Sequence, residues 1–426
     1  MSFRSTLILI NLLAVGGLLV FIAYRVISLR RNPETRAPEN LTPFFEDDVL
    51  EGPHLERALG VALVALVIAV VALVVYFIWE PFRQADATSG FDQRSIARGE
   101  QLFAGPDSPA YDSTRSLNCA RCHGPDAGGG VAKQTVKSTD PRCDPQQKVD
   151  EALAANQPYC LPQIVSWAAP NLQLAPLRYS REQLTQIITF GRPGTPMPAW
   201  GVASGKGALN EQSIQDLVNY VSSLAQTPAK AQAGAKTDAD NMRTTLNDPE
   251  VRAAADKWVT DSQAALTLAT AQRDATTPGT TQRTQADEVV VQAQQNFAVA
   301  QEWQQATRSA TDGEILFMDN CARCHTRGWS YFDPKNPQGN PVPGPMAGGA
   351  FGPNLRDGAV DRQFPSPLYD DDFFGWISAG VPAFEAYGTR GISSGRMAHF
   401  GAVLTKDQIQ AIMGYERTVG TTRVAP

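Results

Sequence analysis

The pentapeptide Cys119-Ala-Arg-Cys-His123 returns letter for letter as Cys321-Ala-Arg-Cys-His325. C-x-x-C-H is the attachment signature of c-type haem. Its spacing sets two thiols one helical turn apart, so that both form thioether bonds to the porphyrin vinyl groups. The histidine that follows then sits under the iron as its proximal ligand. One such motif is compatible with half of a zinc site. Two copies, each inside the same longer pattern, point instead to two covalently bound haems.

That longer pattern is extensive. Gly99-Glu-Gln-Leu-Phe103 is echoed by Gly313-Glu-Ile-Leu-Phe317, and Ala169-Pro-Asn-Leu172 by Gly352-Pro-Asn-Leu355. The segment 209–220, ending in Tyr220, is echoed by 404–415, ending in Tyr415. A repeat covering helix, motif, loop and final helix is a duplicated domain rather than a duplicated motif. Positions 214, 217, 218, 221 and 224 put Ile, Leu, Val, Val and Leu on one face of the last helix in the first copy.

The chain holds only four histidines, His54, His123, His325 and His399. An iron held by one of them needs a sixth ligand or stays open. His/Met ligation raises the reduction potential and leaves no position for oxygen or peroxide. In the first copy Met197, held between Pro196 and Pro198, is the expected ligand. In the second, Met397 aligns with it, while His399 and Met346 remain alternatives. The expected cofactor-binding residues are therefore Cys119, Cys122, Cys321 and Cys324, and the iron ligands His123, Met197, His325 and Met397. The loops at Pro170, Asn171, Pro353 and Asn354 would offer a carbonyl to the histidine Nδ1–H and orient the ring. No catalytic residue stands out. Cys143 and Cys160, left over in an oxidising compartment, are expected to pair and so to staple a loop-rich insertion, contributing roughly 3 kcal/mol.

Two apolar runs, 6–24 and 58–79, are each long enough to cross a hydrocarbon core of ~30 Å. Arg4 alone precedes the first run, and no small-residue cleavage site follows it, so an uncleaved helix is expected rather than a signal peptide. Arg25, Arg30, Arg31, Arg36 and Arg57 lie between the runs. The positive-inside rule puts that loop in the cytoplasm and both termini outside. Covalent haem attachment outside the bacterial membrane agrees. The net charge of −6 argues against a nucleic-acid partner.

Between the repeats, 227–247 reads as a linker. Two Ala/Gln-rich stretches, 248–275 and 281–310, flank a Pro278-Gly279 turn and predict an antiparallel helical hairpin. Trp258, Leu266, Val291, Phe297 and Trp303 are its expected seam. Its expected role is a spacer between haem domains, with a docking arm for a partner subunit as the alternative.

As a set, these features resemble class I cytochromes c. The resemblance covers about half of the chain and implies small helical domains wrapped on haem, with electron transfer as their role. Two such domains on an anchor resemble the dihaem cytochrome cc subunit of actinobacterial menaquinol–cytochrome c reductases. That resemblance implies cytochrome b, a Rieske iron–sulfur protein and terminal oxidase subunits as partners. The N-terminal hairpin and the helical insert depart from that family's pattern; an N-terminal hairpin followed by an outside redox domain is instead similar to oxidase subunit II, although no copper-centre Cys/His set is present. A cytochrome c-fused oxidase subunit, or a dihaem peroxidase or dehydrogenase, are the alternatives. The expected fold is all-α: a two-helix transmembrane hairpin (1–85), a first cytochrome c-like domain (90–226), a linker with a helical hairpin (227–311) and a second cytochrome c-like domain (312–421).

Overall fold

The computed structural model describes residues 52–138, 143, 148–157, 160–339 and 343–420, with positions 13, 16, 17, 20, 21, 23, 24 and 27. Apart from those positions, the first apolar run and the arginine-bearing loop up to residue 51 lie outside the described residues. The chain divides into two compact units, Met1–Asp86 and Ala87–Pro426.

Helix α1, Pro53–Phe103, is 51 residues long and has Pro81 inside it. In its first part, large apolar side chains from Leu59 to Phe82 are exposed all around the helix. A helix apolar on every face needs an apolar surrounding. Its length and composition suffice to cross a membrane, consistent with an anchor. The sequence suggested a span ending near Trp79 and a separate helix at 95–103. The structure makes them one continuous helix, because nothing from 80 to 94 breaks the backbone ladder except Pro81, near the end of the apolar run.

Helix α2, Ala120–His123, carries the first motif. The insertion that follows is not irregular, and the fold is therefore not all-α. Strands β1, Gly130–Val136, and β2, Gln163–Ala169, pair antiparallel from Gly130 opposite Ala169 to Val136 opposite Gln163. Their alternation is visible in Val131, Lys133 and Thr135, which face solvent, while Ala132 is buried. Helix α3, Val149–Ala154, lies between them, and Cys143 and Cys160 are disulfide-bonded as expected.

Helices α4 (Ala175–Arg178), α5 (Arg181–Phe190) and α6 (Glu211–Ser223) complete the first half. Ser180 and Gln183 form a capping box at α5, and Asn210 caps α6. Each such cap contributes about 1 kcal/mol. Ile214, Leu217, Val218 and Val221 are buried on the inner face of α6, where the sequence put them.

The segment expected to be a linker is helix α7, Pro228–Asn247, started by Thr227 at its N-cap and Pro228 in its first turn. It buries Ala231, Ala235, Ala239 and Leu246. The small apolar residues recur every fourth position, which gives the helix a narrow face for close packing. Helices α8 (Pro249–Asp274) and α9 (Thr281–Ser309) form the expected hairpin. Trp258 and Trp303 are buried in its seam, but Val291 is 51% exposed and its neighbour Val290, at 4%, takes the inward position. The hairpin is no detached spacer. Trp258, Val299 and Trp303 join one continuous core with Ile315, Phe317 and Ile412. Trp303 meets the Phe332 ring edge-on at 4.8 Å, a geometry favoured by ring quadrupoles.

The remainder comprises α10 (Asp312–Asn320), α11 (Ala322–His325), α12 (Ala359–Gln363), α13 (Asp370–Ala379), a two-residue ribbon of β3 (Ala386–Tyr387) with β4 (Gly391–Ile392), and α14 (Lys406–Thr418). Thr311 caps α10 and Thr405 caps α14.

Candidate haem-binding sites

Each motif is positioned by a helix crossing that permits no side chain at its centre. A Cβ on Gly99 would lie 2.0 Å from the carbonyl oxygen of Asp216, and one on Gly313 would lie 2.1 Å from that of Ala411. One turn on, Phe103 packs on Tyr220 with ring centroids 5.3 Å apart, and Phe317 packs on Tyr415 at 5.2 Å. The echo between the two G-E-x-L-F segments thus has a physical cause: glycine for close approach and phenylalanine to fill the corner. In the first half the crossing is pinned further. Asp216, buried, accepts from Ser95 at 2.5 Å and from the Arg98 guanidinium at 2.7 and 2.8 Å.

The proximal histidines have the same partner in both sites. His123 Nδ1 donates to the carbonyl of Pro170 at 3.1 Å, and His325 Nδ1 to that of Pro353 at 2.9 Å. This fixes the tautomer, leaving Nε2 as the metal-facing nitrogen. Burial lowers both imidazole pKa values below the usual range and keeps the rings neutral, as iron ligation requires. The fit around His325 is tight. A Cβ on Gly352 would lie 2.5 Å from the imidazole Cε1, so that position admits only glycine. The first site has Ala169 in the corresponding place.

The methionine loops repeat in register. Helix α5 ends at Gly191 (φ 68°) and α13 at Gly380 (φ 65°), both in the left-handed region that favours glycine. Trp200 N donates to Ile188 O at 3.1 Å and Gly201 N to Thr189 O at 3.0 Å. In the second half Phe400 N donates to Ile377 O at 3.1 Å and Gly401 N to Ser378 O at 2.8 Å. Counting back from these bonds, Met397 stands where Met197 stands and His399 where Ala199 stands. Both methionines are half-buried. The His399 ring lies against Gly380, whose Cβ would be 2.8 Å from its Cδ2. Met346 lies in the loop after His325, and its Sδ accepts from the Thr326 hydroxyl at 3.5 Å.

The cysteines fit covalent attachment better than a thiolate metal cage. Burial pushes the Cys119 thiol up to about 12 and the Cys321 thiol well up. Among the described residues no three His, Cys, Asp or Glu side chains converge on a common metal position.

Where the sites differ is their cover. No residue of α2 is buried. In the second motif Cys321 is 4% exposed, Ala322 0% and His325 6%. Part of that cover is the first half itself. Arg323 donates to the carbonyl of Ala168 at 2.6 Å, two residues before the carbonyl that holds His123. Trp167 packs on Tyr331 and Phe351 with centroids 5.4 and 6.3 Å apart. Gln183 donates to Gly395 O at 2.9 Å, and His399 N to Arg178 O at 3.0 Å. None of these contacts had a sequence signal. Arg178 in particular lies in no motif.

The cytochrome c family model matches residues 96–225, which include the first motif, Pro170 and Met197, and stops before the second motif. No curated protein and no solved structure matches the chain. Residues 96–225 form a cytochrome c domain, which implies covalently bound haem c and haem-based electron transfer.

Proposed function

We propose that the chain is a membrane-anchored dihaem cytochrome c that relays electrons from a quinol-oxidising bc-type complex toward a terminal oxidase or a soluble cytochrome c. The observation that supports the second haem is the repeated clamp, His123 on Pro170 O and His325 on Pro353 O. Around it, 312–420 repeats the glycine crossing and the methionine-loop bonds of the first half, as a second cytochrome c-like domain would. Cys119 and Cys122 would anchor one haem, and Cys321 and Cys324 the other. His123 with Met197, and His325 with Met397, would hold the irons. The register favours Met397 over His399, and the Met346 sulfur is engaged by the Thr326 hydroxyl.

Bound haem supplies a one-electron couple. The chain's own residues orient the imidazoles through the proline carbonyls, and the methionine loops would supply the second ligand to each iron. With both irons six-coordinate, no position remains for a substrate, which disfavours a peroxidase or dehydrogenase. Helix α1 would be the second arm of a two-helix anchor. The arginine-rich loop would be cytoplasmic, and the haem-bearing unit would lie on the outer face of the plasma membrane. The partners, cytochrome b, a Rieske protein or oxidase subunits, rest on the resemblance to the cytochrome cc subunit.

The test is purification of the tagged chain from native membranes. Recovery with cytochrome b and a Rieske protein is expected. Recovery with oxidase subunit I alone would overturn the assignment to a bc-type complex.

A further inference from the structure

Arg178 closes the first half's helix α4, yet its guanidinium lies among residues of the second half. Its Nη2 donates to Asn320 Oδ1 at 3.1 Å, beside Cys321. Its Cζ sits 5.1 Å from the centroid of the Phe400 ring, three residues beyond Met397. Its carbonyl is held by His399 N. The side chain therefore spans the gap between the second motif and the second methionine loop, the two segments that would enclose a haem. Its Nε is buried and has no hydrogen-bond partner among the described residues.

No carboxylate hydrogen-bonds to this guanidinium among the described residues. Asp238, an exposed carboxylate, acts on it more weakly than its immediate neighbours do. Asp319 is raised to about 7, first by burial and then by Asp238, and its Oδ2 is buried without a partner. Arg323 adds a second positive charge nearby. Arg178 and Arg323 thus set two cations beside the second motif, whose Cys321 and Ala322 are buried. Arg323 also acts on His123, but Arg178 lies against the second motif alone, and the first motif is only partly buried.

We propose that Arg178, contributed by the first half, is a positioning residue of the second haem site: it closes the thioether edge and holds that haem at a higher reduction potential than the first. The proposal rests on the dihaem reading above. Burial and a fixed cation both disfavour the ferric state, which carries one more positive charge. With both haems bound, the second site would accept the electron that the first releases. One iron is oxidised as the other is reduced, and no bond forms or breaks. The less covered first site is left as the port for an external redox partner.

The test is spectroelectrochemical titration of the full-length chain in detergent. The component lost in Cys321→Ser/Cys324→Ser identifies the second haem. In the wild type it is expected to titrate above the first. Arg178→Gln keeps a bond to Asn320 but removes the charge. It is expected to lower the ferrous-to-ferric ratio of the second haem about tenfold at fixed potential, ~59 mV for a one-electron couple, with the first unchanged. Arg178→Lys is expected to restore it. A second haem that titrates below the first overturns the proposal, even if the glutamine variant fails to retain haem. Equal shifts at both haems, no shift, or a lysine variant that behaves like glutamine also overturn it. Two haems with no effect of Arg178 sink this inference alone, whereas a chain with one haem sinks the dihaem reading as well.

Discussion

The two Cys-Ala-Arg-Cys-His motifs are identical in sequence and differ in surroundings. Each is set by a glycine crossing, a Phe–Tyr corner and a proline carbonyl on the histidine. Yet the first lies at the surface of its half. The second is covered by Trp167 and Arg178 of the first half, and the core around it runs on into the three-helix insert α7–α9. Local spacing fixes the donors, while distant segments of chain fix the dielectric and access. Two motifs that look equivalent in sequence thereby stand in unequal surroundings.

The largest expected effect is on the insert, which has no counterpart in the first half. Trp303→Ala removes a buried indole from the shared core and is expected to cost about 3–5 kcal/mol. Thermal melting followed by haem absorption should show the second site failing early and the first unchanged. Equal destabilisation of both sites would mean that the insert supports the whole unit.

A smaller effect is expected where the proximal loops differ. Gly352→Ala places a methyl group against the His325 ring and is expected to cost about 1–3 kcal/mol, with loss of haem from the second site. The mirror change, Ala169→Gly, is expected to cost only about 0.5–1 kcal/mol. Haem content per chain separates them. Equal losses would contradict the tight fit assigned to the second site alone.

The smallest effect is the opposite pH response of two buried acids. Burial raises the Asp216 pKa, but hydrogen bonds from Arg98, Ser95 and Gln212 outweigh it and hold the carboxyl below its usual 3.8. Its stabilisation is present above 3.8 and lost as pH falls through the lower folded value. Asp216→Asn should therefore weaken the fold at pH 7 and have little effect at the acid end of the transition. Glu416, 6% exposed, is raised by burial from 4.5 to about 8. The stability linked to its proton is present below 4.5 and lost as pH rises toward 8. Glu416→Gln should flatten the loss of denaturant resistance between pH 5 and 9. An unchanged slope would show that Glu416 is not the group responsible.

What the sequence made legible was local. The motifs, their echoes, the histidine clamp, the disulfide and the main amphipathic faces follow from spacing within a few turns of chain. The β1–β2 ribbon was legible in principle through the alternation at Val131, Lys133 and Thr135, but prolines and glycines on either side made the segment look irregular. Helix α7 was masked by its Ala, Thr and Lys content, which resembles a linker until the fourfold spacing of Ala231, Ala235 and Ala239 meets a partner surface. Val290 and Val291 were separable only by the phase of the hairpin. The contacts of Arg178 and Arg323 join residues more than a hundred positions apart. Nothing in their neighbours along the chain points to them.

The central claim is that the same chemistry occurs twice in one chain. Intact mass of the purified full-length protein, read together with haem absorbance per chain, tests it directly. Two covalently attached haems are expected, falling to one in Cys321→Ser/Cys324→Ser. A wild-type chain that carries a single haem, unaffected by that double substitution, would contradict it.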